Sequence, residues 1–132
     1  MNPQEQKDRA LTFLKFLEKP DPKTVENLLA NDVEFEVMGH LPGVAPMRGK
    51  DTLLKAMPAT LKQMFPNGLN LKFHTVIAEA NHVAIQAESD TTAGNVKKYA
   101  NRYHFYFRFD GDKIGQVREY NATNHLREVL MS

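Results

Sequence analysis

From residue 69 onward the chain carries strand periodicity almost without break, and no other feature constrains its fold as much. Residues 69–78, 83–92, 98–109 and 114–121 read as long strands. Asn81-His82, Gly94-Asn95 and Asp110-Gly111-Asp112 supply the turns between them. Such hairpin-linked strands predict an antiparallel meander, which needs a layer to cover its apolar face. The first half provides that layer. Asn2 caps a helix with Pro3 at its first position and Glu5 three residues after the cap. Ala10, Phe13, Leu14 and Leu17 make its apolar face, and Glu18-Lys19-Pro20 ends it. Asp21-Pro22 opens a second expected helix, with Val25, Leu28 and Leu29 inward, which Asn31-Asp32 breaks. Residues 33–37 alternate apolar and charged, the period of a half-buried strand. Residues 39–49 hold Pro42, Gly43, Pro46 and Gly49 and form a loop. A third helix is expected over 51–65, striped by Leu54, Met57, Leu61, Met64 and Phe65 and kinked at Pro58. Residues 122–130 form a short closing helix with Leu126, Val129 and Leu130 inward. Helices first and hairpin-linked strands later predict an α+β fold with helices on one face of an antiparallel sheet.

The 132 residues suit one domain spanning 1–132, large enough for a real core. Net charge is +1 with no block of lysine or arginine, which argues against nucleic acid as a partner. The chain has no cysteine, so disulfides, thiol catalysis and cysteine-ligated metals are excluded, and a reducing cytoplasm is the expected home. The polar start, MNPQEQKDRA, is not a secretory signal. No apolar run approaches the ~20 residues that span a bilayer, so no membrane association is expected. None of the five histidines is paired at metal-ligand spacing. Phosphate-binding glycine loops, serine elbows and dinucleotide fingerprints are absent, and the prolines of the 39–49 loop remove the donors a phosphate cradle needs. No metal and no cofactor are therefore expected.

Three stretches carry a resemblance over nearly the whole chain: Leu28-Leu29-Ala30-Asn31-Asp32-Val33-Glu34-Phe35; Pro42-Gly43 leading to Arg48-Gly49-Lys50-Asp51; and Asp110-Gly111-Asp112-Lys113-Ile114 leading to Arg118-Glu119-Tyr120. With the element order, they make the chain resemble the nuclear transport factor 2-like superfamily, and within it the SnoaL-like and ketosteroid-isomerase-like proteins. The resemblance implies a cone, or cystatin-like roll, in which a strongly curved antiparallel sheet wraps the N-terminal helices around an internal pocket. It also implies a homodimer through the outer sheet face, as in many relatives. The family holds isomerases, polyketide cyclases, epoxide hydrolases, dehydratases and non-catalytic binders, so fold does not choose the reaction.

Candidate site residues come from alternation along the strands. Tyr99, Asn101, Tyr103, Phe105 and Phe107 share the more apolar face of their strand, opposite Arg102, His104, Tyr106 and Arg108. Asn101 and Tyr103 would bring hydrogen-bonding groups into an aromatic cavity; alternatively both bond to neighbouring backbone within a core strand. The SnoaL-like pattern points Glu119 into the cavity. Should Glu88 face inward too, two carboxylates would meet in poorly solvated space, one pKa would rise, and the pair could act as acid and base. The alternatives are an outer-face Glu88 or a salt bridge to Arg118 or Lys97. Val83, Ile85 and Ala87 are the apolar set of that strand. They count against an inward Glu88 unless a bulge shifts the alternation or a dimer buries the outer face. Placed opposite the pocket face, they motivate the sheet-mediated homodimer.

Against limonene epoxide hydrolases, the arginine and two aspartates fall on Gln86, Glu88 and Glu119. The missing arginine counts against epoxide hydrolysis. Against ketosteroid isomerases, the base falls near Glu36, the tyrosine near Thr12 or Phe13 and the second acid near Phe105. Neither oxyanion donor is present, which excludes true steroid isomerisation. Val33, Phe35 and Val37 as the inward set would leave Glu36 in solvent, unless the Gly39 bend re-aims it. His40, in the loop that lines the cavity mouth in relatives, is an acid or base near neutral pH or else a solvated side chain. The expected function is a cofactor-independent acid–base enzyme of isomerase, cyclase or hydratase type, acting on a hydrophobic oxygenated molecule. A non-catalytic carrier, or an interaction module using the outer sheet face, are the alternatives.

Overall fold

The computed structural model describes residues 1–39 and 41–131. Helix α1 (Pro3–Glu18) begins as its sequence predicts: Asn2 Oδ1 accepts from the Glu5 amide at 2.8 Å, and Asn2 Nδ2 returns a bond to Glu5 Oε1. A 3-10 turn, Pro22–Thr24, and strand β1 (Leu29–Val37) replace the expected second helix. Asp21 caps only the turn, accepting from the Lys23 amide. The backbone of Leu28 and Leu29 is then drawn into the sheet, where the Ile114 amide donates to Leu28 O at 2.7 Å. Strand pairing thus overrides a helical spacing in the sequence.

Strand β2 (Met47–Arg48) and helix α2 (Lys50–Met64) follow. Gly49 joins them at φ +92°, a conformation that side chains strain to adopt. Pro58 lies within α2, which runs on to Met64. The meander comprises β3 (Lys72–Glu79), β4 (His82–Glu88), β7 (Arg102–Asp110) and β8 (Lys113–Asn121). Two of its expected long strands are interrupted, and the pieces β5 (Thr91–Thr92) and β6 (Lys98–Tyr99) form a separate ribbon. Helix α3 (Thr123–Leu130) closes the order. Among the described residues no helix is long and apolar enough to cross a membrane.

The six-stranded sheet has the order β2-β1-β8-β7-β4-β3. It is mixed, because β1 runs parallel to β8 with Phe35 beside Val117 and Val37 beside Glu119. That early strand lies beyond the reach of hairpin logic. Register sets the inner rows: Ile85, Phe105, Glu119 and Val37 lie side by side, as do Val83, Phe107, Val117 and Phe35. Register shifts in β3, β8 and β1 accompany the curvature of the sheet around the helices. Helix α1 packs on β3 and β4, α2 on β1 and β2, and the two helices touch. Phe13 of α1 is fully buried against Phe16, Phe35 and Phe107, at ring separations of 5.8, 6.2 and 5.9 Å.

Val83, Ile85 and Ala87 are buried under the helices, which corrects their expected placement on the outer face. In an antiparallel ladder, directly paired residues share a face, and Ile85 pairs with the inward Phe105. The outer face carries Ile77, Ala84, Gln86, His104, Tyr106, Arg118 and Tyr120 instead.

Candidate functional site

Between the helices and the inner face of the sheet lies a cavity of about 420 Å³. Its wall is apolar over most of its area. Phe35 and Val37 come from β1, Met57, Leu61 and Met64 from α2, and Leu126 and Leu130 from α3. The methionine stripe of the third expected helix therefore serves as cavity wall as well as core. The exposed residues of the lining, among them Val44, Ala45 and Met131, mark the mouth.

Polar groups in the wall come mainly from Tyr99, Tyr103 and Glu119, with Thr60 at the rim. Glu119 is 9% exposed. Its neighbour in the row is Phe105, and Tyr103 sits diagonally across the ladder. Burial pushes the Glu119 carboxyl up to about 7, against which the bond donated by Asn121 Nδ2 to Oε2 at 2.7 Å pulls down. The other carboxylate oxygen accepts nothing from the described residues. A carboxyl held this way exchanges its proton near neutral pH.

The two phenols are linked. Tyr103 OH lies 2.8 Å from Ser89 Oγ and donates to Tyr99 OH at 3.3 Å. Burial raises both phenolic pKa values, and Glu119 adds to the rise, so both hydroxyls keep their protons. Tyr99 packs against Phe65 at 5.0 Å and against His125 at 5.3 Å, the latter ring stacked nearly parallel at 11°.

Of the expected site residues, Glu119 and Tyr103 meet in the cavity wall. Asn101 is 3% exposed but lines no part of the cavity. Its Oδ1 accepts from the amides of Arg102 (2.8 Å) and Ala122 (3.1 Å), and its Nδ2 donates to Tyr99 OH (2.9 Å). It follows the backbone-bonding alternative and positions Tyr99. Phe105 is fully buried beneath the wall, stacked on Tyr103 at 5.2 Å. Glu36 lies on the opposite face of β1 from Phe35 and Val37, in register with Arg118. His40 lies outside the described residues.

The pairing of Glu88 with Glu119 across the cavity is corrected. Glu88 projects from the outer face, 42% exposed, 3.5 Å from His74 Nε2. The parity that buries Val83, Ile85 and Ala87 turns it outward. Sequence reasoning did not assign Tyr99 a role, although its parity with Tyr103 was the available signal. Among the described residues no cluster of histidine and carboxylate side chains could hold a metal.

Comparison with known proteins agrees with this geometry at the level of fold. An NTF2-like protein of unknown function from Burkholderia pseudomallei superposes with a TM-score of 0.85 at 13% identity, covering 100% of each chain. A candidate SnoaL-like polyketide cyclase from Jannaschia gives 0.81 at 11%, covering 98% of this chain and 94% of the other. An LEH-like epoxide hydrolase of Mycobacterium tuberculosis gives 0.75 at 19%, covering 98% and 91%. At such identities the likeness establishes the fold alone. A search of curated proteins finds no sequence match. The family model does match, over residues 10–117 and thus most of the length, and the chain belongs to the SnoaL-like domain family.

Proposed function

We propose that the cavity binds a hydrophobic, oxygen-bearing small molecule and catalyses acid–base chemistry on it without a cofactor, with Glu119 moving the proton and the Tyr103–Tyr99 pair beside the ligand oxygen. The observation that carries this reading is a carboxyl sealed into an apolar wall, the one acid among its described residues, with its pKa lifted to about 7 and one oxygen that accepts nothing from the described residues. Burial alone would select against such a group in a cavity with no use for it. Because Glu88 stands outside, a second carboxylate is not at hand to orient a water. That favours reactions in which one group takes a proton and returns it, isomerisation or cyclisation, over hydration. The test is carbon-detected NMR titration of the Glu119 carboxyl. A midpoint near 7 supports the proposal, and a midpoint in the ordinary carboxylate range refutes it.

A non-catalytic carrier is the second reading, favoured by the same acid: among the described residues the cavity wall holds one carboxyl in a large apolar surface. A homodimer through the outer sheet face stays part of the proposal on a changed basis. The row that motivated it is buried, and the face offers Tyr120, 42% exposed, beside Arg118, and Ile77, 58% exposed, at the β3 edge. Sedimentation showing only monomer at micromolar concentration would end it.

A further inference from the structure

We infer that Asn121 is a positioning residue that gives the two oxygens of the Glu119 carboxyl separate tasks: its amide ties Oε2 down from behind the cavity wall, and Oε1 is the atom that carries the exchangeable proton. This deepens the acid–base reading above and rests on it. Glu119 and Asn121 are two apart on β8, so both side chains leave the same face of the sheet. Glu119 lines the cavity and Asn121 does not. The Asn121 amide therefore meets the carboxyl from the side away from a ligand, with Nδ2 2.7 Å from Oε2.

The orientation of that amide follows from its partner. Oxygen in place of nitrogen would set an acceptor against the Oε2 of an ionised carboxylate. Nδ2 is thus the group that faces Glu119, at the length of a charge-assisted bond. Asn121 Oδ1 is then shut off from solvent with no partner among the described residues. A stranded amide oxygen destabilises the fold. Packing alone does not account for an asparagine here, since leucine has nearly the same shape and no oxygen to strand. The bond to Glu119 does. The backbone is fixed on both sides: the Met38 amide donates to Glu119 O at 2.8 Å, and the Ala122 amide to Asn101 Oδ1 at 3.1 Å.

An N–H on Oε2 disfavours a proton on the same oxygen. When Glu119 takes up its proton, the proton goes to Oε1, and Oε2 stays an acceptor as the carbonyl oxygen. When the proton leaves, the Asn121 N–H is already in place for the charge and nothing has to reorient. The titratable neighbours in the wall, among the described residues, are the phenols Tyr99 of β6 and Tyr103 of β7. From β1 and the helices the wall receives apolar side chains and the rim hydroxyl of Thr60. None of these donates to Oε2.

NMR on the wild type, Asn121→Leu and Asn121→Asp tests this. In the wild type the Asn121 side-chain amide protons should move downfield as Glu119 ionises, with the same midpoint as the Glu119 carboxyl carbon. In Asn121→Leu the Glu119 midpoint should rise by about one pH unit, the loss of one charge-assisted hydrogen bond. In Asn121→Asp two carboxyls at hydrogen-bond distance share a proton, so the last proton should leave well above the wild-type midpoint. Infrared spectra below the midpoint, with carbon-13 in the glutamate carboxyls, should place the Glu119 carbonyl stretch at lower frequency in the wild type than in Asn121→Leu. A side chain that only fills space moves none of these readings. The wild-type amide shift stands as a test even if neither variant folds. Suppose the wild-type midpoint lies near about 7. Asn121 amide protons that do not follow it, or the same midpoint in Asn121→Leu, then overturn the inference and leave the acid–base reading intact. A wild-type midpoint in the ordinary carboxylate range overturns both.

Discussion

Replacing Glu119 by glutamine isolates the energetic cost of the buried acid. In the unfolded chain this carboxyl titrates near its ordinary value of 4.5; in the fold, burial moves it to about 7. Below 4.5 both states hold the proton, and Glu119 adds no pH dependence. Between these values the unfolded chain has released its proton and the fold has not, so the unfolded state binds fewer protons and stability falls as pH rises. Above 7 the loss is complete. The separation of the two values corresponds to about 3 kcal/mol. Glutamine keeps the shape and carries no charge at any pH. Glu119→Gln should therefore match the wild type at pH 4.5 and exceed it by about 3 kcal/mol at pH 8, roughly 10 °C in melting temperature for a chain of this size. The assay is urea unfolding of both proteins at half-unit steps from pH 4.5 to 8. Other ionisable groups cancel in the difference between the two proteins. A difference that stays flat across this range would refute both the perturbed acid and the function built on it.

Two further outcomes follow from the packing. Gly94→Ala would set a Cβ 2.3 Å from Gln63 O, where the β5–β6 turn lies against the end of α2, and should cost about 2–3 kcal/mol in chemical unfolding. Glu88→Gln on the outer face should change stability by less than about 0.5 kcal/mol, since its exposed contact with His74 is weak; urea unfolding of the variant checks this.

Much of the fold was legible because alternation reports which side chains share a face. The inward set Tyr99, Asn101, Tyr103, Phe105 and Phe107 is buried as parity requires. So was the start of α1, where cap, proline and glutamate agree. Two things were not legible. Leu28 and Leu29 fit a helix by spacing, and only the distant partner β8 makes them strand; a long-range pairing leaves no local mark. The apolar set Val83, Ile85 and Ala87 counted against an inward Glu88, but an outer face buried in a dimer would have reversed that reading, because alternation fixes which residues share a face and not which face is inward. The ladder to β7 settles that. Of the site, Glu119 came from the resemblance and Tyr103 from parity. The place of Tyr99 in the wall depends on its hydrogen bonds with Asn101 and Tyr103, which no linear pattern encodes.

The parallel pairing of β1 with β8 has a consequence for biosynthesis. Leu29 has its partner at Ile114 and Val37 at Glu119, so β1 waits for more than about 80 further residues of synthesis before its neighbour appears. On the ribosome the helices can collapse early. The ledge that bears the acid is supplied last, and until it arrives β1 exposes an unpaired edge that a chaperone, or a second nascent chain, can seize.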